Sequence, residues 1–210
     1  MLMSKVKEVK PSTVKLLLKH GADVTIRDNL GGNPLAGACV QGWLPIVDLL
    51  VEANAEGTIN KCIYANNNSP LLIAVMQDFF DGAKVLVEHG ADINHFNTFG
   101  VTAVYAAIST SKHPEPIVLD FLRYLVSRGA KADRQDTNGV TPLLIACECD
   151  HVATVSFLLD QGADPTKVDR GDQSAMHRVM GGKGRGQLTE GAGCEMLQLL
   201  LASGKIGEPD

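Results

Sequence analysis

The residues best equipped for chemistry lie in the last third of the chain. Cys147-Glu148-Cys149-Asp150-His151 is a C-x-C-x-H run of thiols and an imidazole, the ligand types zinc prefers. It has no second ligand pair at the distance a zinc module uses, so no metal centre is expected. Gly181-Gly182-Lys183-Gly184-Arg185-Gly186 offers backbone N–H groups and two cations to a phosphate. A Walker loop needs Gly-Lys followed by Ser or Thr, and here Gly184 follows Lys183; G-x-G-x-x-G fails at Gln187 and at Thr189. A flexible inter-helix loop is the simpler reading. Glu148 and Asp150 could act as paired carboxylates, but they follow the exposed end of a helix and read as solvated. No Ser/His/Asp or Cys/His spacing suggests a nucleophile and its base. The expectation is a chain with no catalytic residue, no metal and no cofactor.

Composition narrows the remaining classes. The chain has 210 residues, enough for one elongated domain or two small ones. With 24 Asp and Glu against 19 Lys and Arg its net charge is −5, which argues against nucleic acid or an anionic membrane surface as partner. Hydrophobic residues reach 45%, too many for disorder, while aromatics are only 5%, so Leu, Val, Ile and Ala must build the core. No apolar stretch is long enough to span a bilayer. The five cysteines are an odd, scattered set, and MLMSKVKEVKPS has no signal-peptide character. Reduced thiols in the cytoplasm or nucleus are expected, in a monomer.

The elements reveal themselves at their ends. Leu-rich runs stop at Gly21, Asn54, Gly90, Gly129, Gly162 and Gly204, at intervals of 33, 36, 39, 33 and 42 residues. Gly or Asn just past a helix takes the left-handed conformation that closes the last turn. Starts recur at Asn33, Ser69, Thr102, Thr141 and Ser174, each a side-chain oxygen before an apolar helical run, three of them followed by Pro. Start-to-stop spans of 21, 21, 27, 21 and 30 residues accommodate two short helices around a polar corner. In TPLLIACECDHVATVSFLLDQG the first helix carries Leu143, Ala146 and Cys147 on one face; Asp150-His151 marks the corner; Val155, Leu158 and Leu159 line the second helix. The 12-residue links place Gly two residues before a start, as at Gly100, which suits a hairpin tip. Neither helix is long enough to stand alone, so the units must stack.

This pattern resembles the ankyrin repeat, with its T-P-L-H-x-A-A start and G-A-D stop, over about Val14 to Gly204. The resemblance implies an all-α ankyrin-repeat solenoid of helix–turn–helix units joined by extended hairpin loops. It spans 1–210 as a single domain, with a partial unit over 1–28 and five units starting near 29, 64, 97, 136 and 169. Several departures stand out. Lys5 and Lys7 occupy positions where a first helix needs small apolar residues, so the first unit is expected to be incomplete. The hairpin before Ser69 is three residues longer and has Asn66-Asn67-Asn68 in place of the turn Gly. The third unit gains six residues around His113, the fifth gains nine at 181–186, and Asp172 replaces the last turn Gly. Insertions in such arrays are expected on loops.

The resemblance also assigns roles. Cys39 and Cys147 share one internal position and should be small buried hydrophobes, while Cys149 is one step off that register and should be exposed. His151 is a corner residue equivalent to Trp43 and Phe79, which removes the metal reading. His177 matches the motif His, which in the family bonds between repeats; His20 and His89 sit at helix ends. Function is implied as non-catalytic protein binding on the concave face. Transferred by position, that face includes Arg27, Leu30, Gln41, Phe96, Phe99, Val101, Asn138, Glu148 and Arg170, with Phe96 and Phe99 as anchors unless they fold onto a neighbouring hairpin. The structural caps are Ser69, Thr141, Gly21, Gly90, Gly129 and Gly162. Asn94, with Leu86 eight residues upstream, resembles the Asn that some arrays hydroxylate. The alternative is a substrate-recruiting fragment of a larger multidomain enzyme or a ubiquitin-ligase adaptor.

Overall fold

The computed structural model describes residues 9–29, 31–62, 65–181 and 190–203. Lys5, Lys7, Leu30, the insertion from Gly182 to Gly186 and the stop at Gly204 lie outside the described residues. Eleven helices and no strand are found among those described. The chain divides into two compact units, one ending at Asp92 and the other beginning at Ile93.

The first unit holds α1 (Pro11–Lys19), α2 (Pro34–Gln41), α3 (Leu44–Thr58), α4 (Pro70–Met76) and α5 (Phe80–Glu88). The second holds α6 (Ala103–Ser109), α7 (Glu115–Ser127), α8 (Pro142–Glu148), α9 (Val152–Asp160), α10 (Ala175–Gly181) and α11 (Glu190–Ala202). Within each unit the first helix of a repeat packs on its own second helix and on the first helix of the next, as α8 does with α9 and α10. Short first helices therefore become core elements. Pro70 to Val75 and Pro142 to Cys147 are buried on every side. The small residues Ala74, Ala146 and Cys147 let the rows approach, and the leucines fill the space between. Second helices bury one stripe; in α9 it is Thr154, Val155 and Leu158. Truncating a fully buried leucine such as Leu144 to Ala should cost about 2–5 kcal/mol.

The starts are where the residue types place them. Asn33 accepts from the Ala36 N–H at 2.8 Å, and Ser69, Thr102 and Thr141 accept from Leu72, Tyr105 and Leu144 at 3.2 Å each. Gly21, Gly90, Gly129 and Gly162 end their helices at φ between 79° and 93°. The turn position two residues before each start has φ +81° at Gly31, +60° at Asn67, +78° at Gly100, +80° at Gly139 and +55° at Asp172. Asn and Asp tolerate this region better than other residues with a Cβ. A side chain at Gly100 meets a second obstacle: its Cβ would come 2.8 Å from the Asp136 Cα of the next hairpin.

Two expectations are corrected. Asn54 is not a stop, because α3 continues through it to Thr58. Ala53, Ala55 and Glu56 favour helix, and the first Gly, Gly57, comes only at the end of the helix. Most of the extra length expected in the following hairpin is therefore taken up by α3. His177 does not reach another repeat. Its Nδ1 faces Ser174 Oγ at 2.8 Å and accepts from the Ser174 N–H at 3.2 Å, so it closes the start of its own helix.

Candidate protein-interaction surface

The hairpins before Asn33, Thr102, Thr141 and Ser174 are each built on one acceptor side chain five residues before the start. Asn97 Oδ1 accepts from the Phe99 and Val101 N–H groups at 3.0 and 3.1 Å, and Asp136 Oδ1 from Asn138 and Val140 at 2.8 Å each. Asp169 Oδ1 accepts from Gly171 and Gln173 at 2.7 and 3.0 Å. These side chains fold the tip back on itself, as Asx turns do. The recurrence of Asp28, Asn97, Asp136 and Asp169 at one register was a sequence signal for them that start-and-stop reasoning missed.

In the second unit the hairpins are joined to one another. The Thr137 N–H donates to the Phe99 carbonyl at 2.9 Å, and one repeat later the Arg170 N–H donates to the Asn138 carbonyl at 2.8 Å. At the hairpin base Asn94 Nδ2 donates to the Gly129 carbonyl at 3.0 Å, while its Oδ1 accepts from the Lys131 N–H at 2.8 Å. Asn60 makes the same two bonds in the first unit, to the Gly90 carbonyl at 3.1 Å and from the Asp92 N–H at 2.8 Å. One repeat beyond Asn94, Lys167 Nζ reaches the Asp133 carboxylate at 2.6 Å. Such cross-repeat bonds hold the tips in place without help from a ligand.

Phe96 and Phe99 remain 43% and 55% exposed on this frame. Phe96 is neither fully free nor folded away. His95 stacks beside it, and the Arg134 guanidinium of the next hairpin lies 3.6 Å from its ring centroid. Val101 is half-buried, and Asn138, Glu148 and Arg170 are exposed on the same unit. In the first unit Arg27 and Gln41 are exposed, and the Arg27 guanidinium donates to the Cys62 carbonyl at 3.2 Å. Gln41 joins Val40, Trp43 and Leu17 around an apolar groove of about 480 Å³ between α1 and α2. The six-residue insertion of the third unit forms the connection from α6 to α7. His113 is exposed there, whereas Glu115 works structurally: its Oε1 accepts from the Thr154 N–H at 2.8 Å, capping α9 of the next repeat.

The thiols divide as their register requires. Cys39 and Cys147 are buried, and burial pushes each thiol up to about 12, far from nucleophilic use at neutral pH. Cys149 is exposed. Trp43, Phe79 and His151 make one corner in common, their N–H groups donating to Ala38, Ala74 and Ala146 carbonyls at 3.1, 2.9 and 3.0 Å. Between α6, α8 and α10 lies a polar pocket. Arg178 pairs there with Glu148 at 2.7 Å and with Asp169, and Tyr105 Oη donates to Asp136 at 3.2 Å.

Ankyrin repeats match by family model over residues 1–97 and 92–169, most of the chain. The chain belongs to the ankyrin-repeat family. Ankyrin repeats generally mediate protein–protein interactions, and such domains are typically non-enzymatic. The ankyrin repeat protein FPV031 of fowlpox virus is 31% identical over 70% of this chain and 42% of its own length. The human B-cell lymphoma 3 protein is 33% identical over 70% of the chain and 32% of its own length. The human palmitoyltransferase ZDHHC13 is 31% identical over 60% of the chain and 19% of its own length. This ankyrin-repeat chain thus spans less than half of these relatives. A solved ankyrin repeat domain from Acinetobacter baumannii AYE superposes with a TM-score of 0.77, at 24% identity, over 92% of both chains.

Proposed function

We propose that the chain is a non-catalytic binding module that holds a protein partner on the face carried by its hairpin tips and first helices. The observation that supports it most is the pair Phe96 and Phe99, both exposed on one hairpin already tied to the next repeat. Large apolar rings on a rigid frame are what interface anchors require, because little ordering entropy is lost on binding. In the second unit Val101, Asn138, Glu148 and Arg170 supply the polar and mixed surroundings; Arg27 and Gln41 are the exposed binding residues proposed for the first unit. The reading places the chain in the cytoplasm or nucleus as a monomer, consistent with five free cysteines, two of them buried. Asn94 is the proposed hydroxylation site.

The test is the double variant Phe96→Ala/Phe99→Ala. Truncating an anchor typically loses about 2 kcal/mol, some thirtyfold in affinity. The variant should keep its cooperative melt and lose the partner that co-purifies with the parent. A variant that melts normally and retains every partner would overturn the reading.

The second reading is a recruiting segment of a larger enzyme or ligase adaptor. It is favoured by the likeness to a palmitoyltransferase of which the match covers 19%. A transcript that encodes this chain together with a catalytic domain is its test.

A further inference from the structure

The polar pocket of the second unit encloses about 520 Å³, and Tyr105, Ser109, Ile145, Glu148, Asp150 and Arg178 contribute to its wall. Its charges are unequal. Arg178 is the cation, and Glu148 and Asp169 both pair with it, so its charge is already met. Asp136, bonded to the Tyr105 hydroxyl and to two backbone N–H groups, receives only neutral donors in those contacts. Asp150 is held at the corner by its left-handed backbone, φ +58°, and its Oδ1 is buried with no hydrogen-bond partner. Glu148 and Asp169 therefore flank the one guanidinium, while Asp150 on the wall and Asp136 behind Tyr105 add negative charge to a recess with apolar walls at Val140 and Ile145. Tyr105 reports the same field: burial first, then the Asp136 and Glu148 charges, push its phenol up to about 12. An anion entering here would meet net repulsion. A cation would be attracted both by the carboxylates and by the tyrosine ring.

We infer that this pocket is the subsite for a basic side chain, Lys or Arg, of a protein partner segment lying across α6, α8 and α10. The ammonium or guanidinium sits between Asp150 and Glu148, and its aliphatic stem runs along Val140 and Ile145. The inference rests on the reading of the chain as a protein-binding module, and it names the chemistry of one anchor.

The experiment uses the full chain and a random dodecapeptide library displayed on phage. Enriched peptides are synthesised, and affinities are read by fluorescence anisotropy. The expected result is a consensus with one fixed Lys or Arg. Replacing that residue with norleucine should weaken binding to the parent chain at least about tenfold, and to Asp150→Asn or Glu148→Gln less than about threefold, a coupled cycle. Asn tolerates the left-handed corner, so Asp150→Asn should retain the parental melt. Glu148 is exposed and gives an independent variant. Peptides without a fixed basic residue overturn the subsite, as does a basic residue whose loss weakens parent and both variants equally. If those peptides still lose affinity in Phe96→Ala/Phe99→Ala, the binding module stands and only the subsite falls. If no selected peptide binds the parent chain, both fall.

Discussion

The guanidinium of Arg134 covers the ring of Phe96 at 3.6 Å from its centroid, while 43% of that residue stays in contact with solvent. A contact between adjacent hairpins thus fixes the anchor without burying it. The exposed cation–ring pair contributes about 0.5–1 kcal/mol. Phe96→Ala should lower stability by about that amount, and Arg134→Ala on top of it should add little. A double-mutant cycle by urea titration measures the coupling. Phe99 takes part in the hairpin ladder through its backbone carbonyl, so Phe99→Ala should stay within about 0.5 kcal/mol of the parent.

Thr141 is fully buried and caps α8 by accepting from the Leu144 N–H. Thr141→Ala should cost about 1–2 kcal/mol. Gly129 has φ +93° and open space around its missing Cβ, so Gly129→Val tests backbone strain alone. It should cost more than about 1 kcal/mol. Equilibrium unfolding in urea resolves both.

Asn60 and Asn94 each join two hairpins with a donor and an acceptor. Asn94→Ala removes both bonds and leaves the Lys131 N–H without this acceptor, an expected loss of about 1–3 kcal/mol. Asn94→Asp keeps the acceptor and loses the donor, so it should fall between the parent and Asn94→Ala in thermal melts. Peptide mass spectrometry of protein from its own cells should find one added oxygen on Asn94; an unmodified residue overturns the hydroxylation proposal.

Burial alone would raise the Asp169 carboxyl. The N–H groups of Gln173 and Gly171 and the Arg178 guanidinium outweigh it and hold the group below the ordinary carboxylate range. A carboxyl depressed in the folded state contributes stability that is complete above its unfolded value, about 3.9, and is withdrawn as pH falls through the folded one. Asp169→Asn should be less stable than the parent at neutral pH, and the difference should shrink below about pH 4. Thermal melts across that range measure it.

Most of the repeat could be read from residue types whose reasons are local. A Thr, Ser or Asn before an apolar run caps a helix, and a Gly after a Leu-rich run closes one, whatever lies beyond. That logic located all five starts and the stops at Gly21, Gly90, Gly129 and Gly162. It failed at Asn54, where a residue able to close a helix stands among helix formers and the helix continues. Propensity alone does not choose between those outcomes.

The candidate surface was only partly legible. Register alone placed Phe96 and Phe99 on the hairpins. How far the Phe96 ring was exposed depended on Arg134, 38 residues further along the chain, because exposure is a property of neighbours. The same holds for Glu115, an insertion residue that caps the helix of the next repeat. It holds most for the pocket of Tyr105, Glu148, Asp150 and Arg178. The sequence by itself determined the repeat, its caps and its turns, because bonds between near neighbours make them. Only the tertiary structure decided which side chains meet across repeats, because stacking brings together residues about 30 to 40 positions apart.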